Sequence, residues 1–303
     1  MRSAIIFVLA GVLVAGAGRM AAHEGPAHEI EELGKLIAVE PEVAVHYLKR
    51  ATEYRSLGME EKAEADLRLV VALEPESKAG WETLGRSVWA QGKRDEAARC
   101  GERAVELARL GPDRAACLML RCEIEMERGS LAAALEACAG AFRDVPDGSV
   151  EWYLIRGRLH ERLRKGAARV AGLKRGHEAS GSVVLRNAWV DASLDAGVYA
   201  EVLPVIEAEL AKSRLKSSWL IRRGRMRLGM GAREAGIKDL RDAVTELDPR
   251  IHPERPDVSL LIDRGWARVL LGEKEAARRD LKLARKHAGD PWDVDRLGKS
   301  IGE

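Results

Sequence analysis

Small apolar residues recur at regular positions along the chain, with larger apolar residues close by. Ala51 and Ala63 form one pair of small positions and Gly85 and Ala97 the next, with bulky Trp81 one helical turn before Gly85. A small residue on each of two helices lets their backbones approach closely, while large residues fill the flanks. The pattern therefore predicts pairs of packed helices.

Glycines and prolines divide this pattern into repeating units. Glycine accepts the left-handed conformation that ends a helix, and proline stops one. The glycines that end first helices are Gly58, Gly92, Gly129, Gly197, Gly231 and Gly272, and the prolines that end second helices are Pro41, Pro75, Pro146 and Pro249. The first two glycines are about 34 residues apart, a period typical of helical-hairpin repeats. One hairpin alone leaves half its apolar surface exposed, so we expect the hairpins to stack.

The second of these units carries a specific signature. It consists of Trp81, Leu84, Gly85, Val88, Gly92, Ala97 and Ala104. This segment resembles the tetratricopeptide repeat almost position by position. The resemblance implies an all-α fold, in which about seven helical hairpins form a right-handed α-α superhelix, or solenoid, with capping helices at both ends. It also implies that the chain acts by binding another macromolecule.

We assign residues 44–290 to the repeat array and the flanking segments to its caps. Residues 23–43 hold an N-terminal segment with a capping helix, and residues 291–303 are expected to fold back as a C-terminal cap. The second helix of the fourth unit, Gly166 to Ser180, is poor in large apolar residues, so we expect the weakest core there. The seven units are 44–77, 78–111, 112–147, 148–182, 183–216, 217–250 and 258–290.

Residues 1–22 have the features of a secretory signal peptide. A short basic start, Met1–Arg2, precedes an uncharged apolar run over residues 4–18, and Ala15-Gly16-Ala17 supplies small residues for cleavage. The run is shorter than the roughly 18–20 residues that span a bilayer, which favours a cleaved signal over an uncleaved membrane anchor. We therefore expect an extracytoplasmic protein, periplasmic or secreted, without stable membrane insertion after cleavage.

Positive and negative charges are finely mixed along the chain. The sequence has 50 Lys and Arg residues and 48 Asp and Glu residues, and its formal net charge is +2. Such a mixture creates no long-range field that attracts nucleic acid. We therefore expect a protein or peptide partner and no nucleic-acid partner.

Three arginine–aspartate pairs recur at equal separation across the turn of a hairpin. Their matching places on the two helices predict salt bridges within a repeat, with the guanidinium fork on the carboxylate. The alternative is that both members are surface residues of charged helices. An exposed pair adds only about 0–1 kcal/mol, so we expect these pairs to set register more than stability. The pairs are Arg50–Asp66, Arg223–Asp239 and Arg264–Asp280.

Four cysteines cluster in the second and third units, and none forms a C-x-x-C motif. Counted outward from the turns, Cys122 opposes Cys138 across one hairpin and Cys100 across the next interface. An exported chain oxidises suitably placed cysteines, so a disulfide between Cys122 and one of these two is one hypothesis. The other is that the cysteines are small buried side chains at close-packing positions.

No motif indicates catalysis or a resident cofactor. The seven histidines are scattered, and none has a zinc-protease or zinc-finger spacing. Cleavage after Ala22 would make His23 the first residue, with His28 close behind, where amine and imidazole can chelate copper. A plain solvated tail is the simpler interpretation. Metal handling, with copper or zinc bound by these histidines or the cysteine cluster, is therefore the alternative to a non-catalytic binding protein.

In tetratricopeptide arrays the first helix of each hairpin lines a concave groove, and the resemblance places a set of side chains there. We expect this groove to bind a peptide or protein, so that the chain acts as a scaffold or adaptor outside the cytoplasm. Trp and Met are plausible anchors for a partner, although Trp89, Met119 and Met126 could instead pack against neighbouring units. The expected groove residues are Lys49, Arg55, Arg86, Trp89, Met126, Arg158, Arg162, Arg222, Arg225 and Trp266.

Overall fold

A computed structural model describes residues 25–252, 254–287 and 292–302. Over these residues the chain forms sixteen α-helices and one short 3₁₀ helix, with no strand, which confirms the all-α fold. The chain divides into two compact units, with the boundary between Arg128 and Gly129. The signal peptide expected at residues 1–22 lies outside the described residues. None of the described helices combines the length and apolar character needed to cross a bilayer.

The first unit contains a single helix followed by helical hairpins. Helix α1 packs on α2, the α2–α3 and α4–α5 hairpins pack in succession, and α6 continues them. The helices are α1 (Pro26–Val39), α2 (Ala44–Ser56), α3 (Glu60–Leu73), α4 (Lys78–Ala90), α5 (Arg94–Leu107) and α6 (Pro112–Arg128).

The small residues predicted at the hairpin contacts lie where these helices are closest. Ala51, Ala63 and Ala97 are completely buried. A Cβ added at Gly85 would lie 3.2 Å from the Cβ of Cys100, so a side chain there would have to displace its neighbour. Each large apolar side chain buried around these contacts contributes about 1.5–3 kcal/mol. These side chains are Leu67, Leu84, Val88, Leu120 and Ile124.

The second unit continues the pattern of consecutive helices. They are α7 (Leu131–Asp144), α8 (Val150–Arg162), α9 (Gly166–Ser180), α10 (Val183–Asp195), α11 (Leu203–Lys212), α12 (Ser217–Gly229), α13 (Arg233–Leu247), α14 (Val258–Leu271), α15 (Lys274–His287) and α16 (Trp292–Ile301). Its described buried residues include successive clusters, and Val294, Leu297 and Ile301 complete the last of them. Helix α16 therefore covers the apolar face of α14 and α15.

The α8–α9 hairpin departs from the others in packing and in its turn. Within α9, all of whose residues are described, only Leu173 and Gly176 are buried. Arg164 occupies the turn with φ +55°, whereas the α2–α3 turn uses Gly58 with φ +71°. A positive φ strains the backbone of a residue that has a Cβ, and glycine avoids this strain. The fourth hairpin therefore has a thin core, in line with its low content of large apolar residues.

The proline-rich segment 249–256 joins α13 to α14. It begins within a 3₁₀ helix, Asp248–Arg250. After it, the Asp257 side chain accepts a hydrogen bond from the Ser259 backbone N–H at 2.8 Å. This contact satisfies one of the backbone donors that a helix start leaves without an intrahelical partner.

Candidate functional site

The structure brings all three expected arginine–aspartate pairs together. The Nε and Nη2 atoms of Arg50 donate to the two Asp66 oxygens, both at 2.7 Å. In the sixth hairpin, Arg223 binds Asp239 in the same way at 3.0 and 2.8 Å. Arg264 and Asp280 repeat the arrangement in the seventh at 3.2 and 2.6 Å. The aspartates are 2–4% exposed, so these are shielded bidentate pairs and not surface contacts.

Two of these aspartates bind a second arginine that the sequence reasoning missed. Arg227 donates to Asp239 at 2.8 Å, and Arg268 donates to Asp280 at the same distance. Each lies one helical turn after the first arginine and so points to the same side of its helix. The signal was present in the sequence, because the two hairpins are close copies and both carry this extra arginine.

The first arginine of each pair, Arg223 or Arg264, also contacts a carboxylate of the preceding hairpin. Arg223 donates to Glu207 at 3.1 Å, and Arg264 donates to Asp248 at 2.9 Å. Each of these two carboxylates lies 16 positions before the arginine that binds it. The buried aspartate of the same arginine lies 16 positions after it. The pairs therefore link successive hairpins as well as the two helices of one hairpin.

A different buried carboxylate organises the contact between the first two hairpins. Glu64 accepts from Lys93 at 2.5 Å, from Gln91 at 2.8 Å and from Arg68 at 2.7 Å. Burial by itself would raise its pKa, but these hydrogen bonds outweigh it and hold the pKa of Glu64 at about 2. The carboxylate therefore stays ionised down to strongly acidic pH.

Three expected groove residues share one pocket in the first unit. Arg55, Arg86 and Trp89 line an open cavity of about 500 Å³ together with Glu127. The Trp89 indole N–H donates to Glu127 at 2.6 Å, which orients the ring. Arg86 donates to Glu82 at 3.2 Å, and Arg55 to Glu60 at 3.3 Å. Each guanidinium makes these contacts with one of its five N–H groups.

Three further groove residues, Arg222, Arg225 and Trp266, share a pocket of about 310 Å³ in the second unit. Arg222 holds Asp191 with two hydrogen bonds of 2.8 Å. Burial alone would lower the pKa of Arg222, but Asp191 outweighs this effect and raises it. Arg225 is bound to a second aspartate of α10. These two arginines are therefore engaged within the protein.

The second-unit pocket also receives a side chain from the last helix. Arg296 of α16 donates to Asp195 at 3.2 Å, and its guanidinium lies 5.9 Å from the centre of the Trp266 ring. Asp195 also accepts from Arg169 at 2.8 Å. Burial would raise the pKa of Asp195, but the surrounding arginines, Arg225 first, lower it. The pocket is thus lined by compensated charges around one aromatic ring.

The remaining expected groove residues lie elsewhere. Met126 is only 7% exposed and Met119 only 2%, so the expectation that Met126 projects into the groove is wrong. Its sulfur lies 4.0 Å from the Cys122 thiol inside the core. Lys49, Arg158 and Arg162 are exposed, but they line neither of the two pockets.

The four cysteines, all within the described residues, form no disulfide and are buried. The hypothesis that Cys122 pairs with Cys100 or Cys138 therefore finds no support, and the alternative of small buried side chains describes them. Burial raises the pKa of Cys100 and Cys117 to about 11. A thiol with so high a pKa is a poor nucleophile and a poor metal ligand, because both roles need the thiolate.

No three His, Cys, Asp or Glu side chains come together as a metal-ligand group in the described part of the chain. His23, the main candidate for copper chelation, lies outside the described residues. His28, at the start of α1, is exposed. The described residues therefore offer no observation in favour of metal handling.

Stacked hairpins whose first helices line the pockets define this chain as a helical repeat protein. It is similar to a tetratricopeptide repeat protein from Parabacteroides merdae, with a TM-score of 0.58 and 20% identity over 91% of this chain and 100% of the other. The C-terminal part of a tetratricopeptide-repeat-containing protein from Cytophaga hutchinsonii gives a TM-score of 0.50 and 14% identity over 89% and 93%. The Cut9–Hcn1 complex of the APC/C gives 0.54 and 12% over 92% of this chain and 46% of the other.

These similarities concern the fold. No protein-family model matches the chain, and no curated protein matches it significantly in sequence. The structural neighbours, together with the helical hairpins, show that the chain has the tetratricopeptide-repeat fold.

Proposed function

We propose that this protein is a non-catalytic interaction scaffold that acts outside the cytoplasm and binds a peptide or protein segment in the groove of its first helices. The observation that carries the proposal is the first-unit pocket on three successive first helices, lined by Arg55 of α2, Arg86 and Trp89 of α4, and Glu127 of α6. Helical repeat arrays commonly use such concave surfaces for binding. The fold supports this role by analogy, and the pocket adds specific chemistry to it.

The chemistry of this pocket favours an acidic segment that also carries an apolar side chain. Two arginines and one glutamate line it, so its charges sum to a positive value. The side chain of Arg86 is 38% exposed and that of Arg55 27%, so both have N–H groups that a carboxylate can reach. Trp89 is half-buried against the core, and its remaining surface suits an apolar side chain.

The second-unit pocket has a different character. Its arginines are already bound to aspartates, as described above, and its one aromatic ring lies under Arg296. We assign to this pocket a supporting role, in which a rigid, charge-balanced surface continues the binding face of the second unit. Affinity for an acidic segment is assigned to the first unit.

The extracytoplasmic location rests on the N-terminal sequence. The basic start, the short apolar run and the small residues before Ala22 support a cleaved signal. The even mixture of 50 basic and 48 acidic residues supports a protein partner in preference to nucleic acid. Secretion of a fusion of residues 1–30 to a periplasmic reporter tests the location separately from the binding.

Selection from a random peptide library tests the binding. The full chain should enrich peptides that combine Asp or Glu with a neighbouring apolar residue. Fluorescence anisotropy of an enriched peptide should show binding that weakens with salt. Arg86→Glu and Trp89→Ala should each weaken it by about tenfold or more, because a charge-assisted hydrogen bond or a central aromatic anchor is worth about 1.5–3 kcal/mol.

Arg103→Glu is the matched control. Arg103 lies on the second helix α5, its side chain is 40% exposed, and it pairs with Glu106 on its own helix. It therefore resembles Arg86 in exposure and pairing but does not line the pocket. If Arg103→Glu weakens peptide binding as much as Arg86→Glu does, or if neither pocket variant weakens it, the proposed site is wrong.

A further inference from the structure

The fourth hairpin keeps the arginine of the recurring pairs but not the aspartate. In three hairpins the arginine binds an aspartate 16 positions later. Arg156 occupies the arginine position of the fourth hairpin, because it directly precedes the small residue Gly157 as Arg223 precedes Gly224. The position 16 residues after Arg156 is Gly172. This hairpin thus has the cation of the pair without its anion.

Arg156 is not compensated by another carboxylate. No ion pair of Arg156 occurs in the described part of the chain, and its Nε is buried without a hydrogen-bond partner. Its Nη2 makes one long contact, 3.4 Å, with the Gly172 carbonyl oxygen. The guanidinium lies 3.9 Å from the centre of the Phe142 ring and 4.8 Å from that of the Tyr153 ring, and these cation–π contacts favour its charge but supply no anion. Burial lowers the pKa of Arg156.

His160, in the same hairpin, also has one ring nitrogen without a partner, although its ring makes a backbone hydrogen bond at Ala168. His160 lies one turn after Arg156, at the position that Arg227 and Arg268 hold in the sixth and seventh hairpins. Those two arginines donate to the same aspartate as the first arginine does. The Nδ1 atom of His160 is buried without a hydrogen-bond partner. Two unsatisfied nitrogens therefore occupy the two places that grip a carboxylate in the other hairpins.

Gly172 leaves the aspartate position of this hairpin without a side chain, and the Arg156 guanidinium lies directly against it. A Cβ there would stand 3.3 Å from both Nε and Nη2 of Arg156, so the missing side chain is the one that would carry a carboxylate to the guanidinium. Arg156, His160 and Gly172 are each partly exposed, but Nε of Arg156 and Nδ1 of His160 are themselves buried, so a carboxylate reaches them only after the Arg156 side chain shifts. The nearby Arg175 adds positive charge, while its partner Asp147 is 74% exposed and 3.4 Å away.

We propose that Arg156, His160 and the backbone at Gly172 form a binding site for one carboxylate group supplied from outside the chain. The carboxylate takes the role that Asp66, Asp239 or Asp280 plays in the other hairpins, with the Arg156 fork as its main contact. Its source is either a small monocarboxylate anion or a carboxylate of a bound protein. The site is distinct from the two pockets of the first helices and does not depend on the proposed peptide groove.

His160 contributes as a second donor when its ring is protonated. Burial, then Arg156 and Lys165, disfavour the protonated ring and lower the pKa of His160, against a backbone hydrogen bond at Ala168 that raises it. A carboxylate bound between Arg156 and Nδ1 offsets this effect, because an anion favours the charged imidazolium. Carboxylate binding should therefore shift the His160 titration to higher pH.

Nuclear magnetic resonance of the arginine Nε–H groups tests the site directly. Acetate should shift the Arg156 Nε–H signal, assigned by its loss in Arg156→Lys, along a saturable curve with a dissociation constant in roughly the millimolar range. Acetamide, a neutral molecule of the same shape, should leave the signal unchanged. The titration is made in low-chloride buffer at constant ionic strength, so that general screening does not change.

Gly172→Asp is the decisive variant because it supplies the carboxylate from within. It should abolish the response to acetate, whereas Gly172→Ala, which adds the Cβ alone, should keep it. A short peptide with a free C-terminal carboxylate, compared with its amide, identifies the source of the carboxylate. A shift of the Arg156 Nε–H signal by the peptide but not by acetate assigns the site to a protein carboxylate. A shift by acetate assigns it to small anions. If neither carboxylate shifts the signal, or if Gly172→Asp responds like the wild type, the proposal is overturned.

Discussion

Removal of the charge of Asp239 is the most direct test of how much the buried ion pairs stabilise the array. Asp239 is 2% exposed and accepts from Arg223 at 3.0 and 2.8 Å and from Arg227 at 2.8 Å. Asp239→Asn keeps the size of the side chain and one oxygen acceptor but removes the negative charge. Two arginines then share a buried site without their common anion.

The expected loss is about 3 kcal/mol in the free energy of unfolding. Breaking a buried pair by removing one partner costs about 3–5 kcal/mol. The lower end applies here for two reasons. The side chains of Arg223 and Arg227 are 20% and 31% exposed, so water partly replaces the lost partner. Arg223 also retains its contact with Glu207 at 3.1 Å.

Glu207→Gln is a matched control on the same arginine. Glu207 binds Arg223 in the wild type, but its side chain is 46% exposed. An exposed ion pair contributes about 0–1 kcal/mol, so this variant should lose less than about 1 kcal/mol. The two variants therefore compare a buried carboxylate with an exposed one on the same arginine.

Urea unfolding followed by circular dichroism measures both variants. Repeat arrays can unfold in stages, so amide hydrogen exchange in α12 and α13 should accompany it as a local measure of stability. The reasoning is refuted if Asp239→Asn loses no more than Glu207→Gln in both measurements. In that case the buried aspartates would set register only, as the sequence argument first suggested.

Three further predictions concern glycines, acid and thiols. Gly224→Ala should lower the free energy of unfolding, because a Cβ there would lie 2.9 Å from a leucine side chain and 3.0 Å from a backbone oxygen. Gly101→Ala, whose Cβ would have its nearest neighbour at 3.6 Å, should raise it by up to about 1 kcal/mol in urea titrations. Glu64→Gln should lower the free energy of unfolding at pH 6. The difference from the wild type should disappear as pH falls from about 4.5 to 2. The pKa of Glu64 is lower in the folded protein than in the unfolded chain, so its stabilisation is present above the unfolded pKa and is lost as pH falls through the folded pKa. In native protein at pH 8, Cys100 and Cys117 should react with a thiol reagent far more slowly than after denaturation, since burial raises both pKa values to about 11.

The hairpins and the paired arginines were predictable because both repeat. A small residue on each helix and a glycine in the turn recur wherever two helices must touch, so one clear copy, Trp81 to Ala104, identifies the rest. The spacing of Arg50 and Asp66 recurs unchanged in two other hairpins, which made their contact readable without a structure. Repetition thus turns a weak local signal into a strong one.

Whether an expected groove side chain is available to a partner depends on packing between different helices. Met126 falls on a first helix, as groove residues do, but only the structure shows that this part of α6 is covered and leaves it 7% exposed. The charges of Arg222 and Arg225 looked available in the sequence, yet both are bound to aspartates of α10, about 30 residues earlier. Periodicity tells which face of a helix a residue occupies, but not which neighbour covers that face.

The departures of the fourth hairpin gain meaning from comparison with the sixth and seventh. Where those hairpins place two arginines on a buried aspartate, the fourth has Arg156 against Gly172 and His160 one turn after Arg156, and its turn carries Arg164 at φ +55°. Natural proteins tend to break local rules at functional sites, where the lost stability is recovered on binding. A carboxylate bound to Arg156 would supply the missing member of the pair, and by mass action would stabilise the folded hairpin. The hairpin with the thinnest core is therefore the one whose stability an external anion is best placed to control.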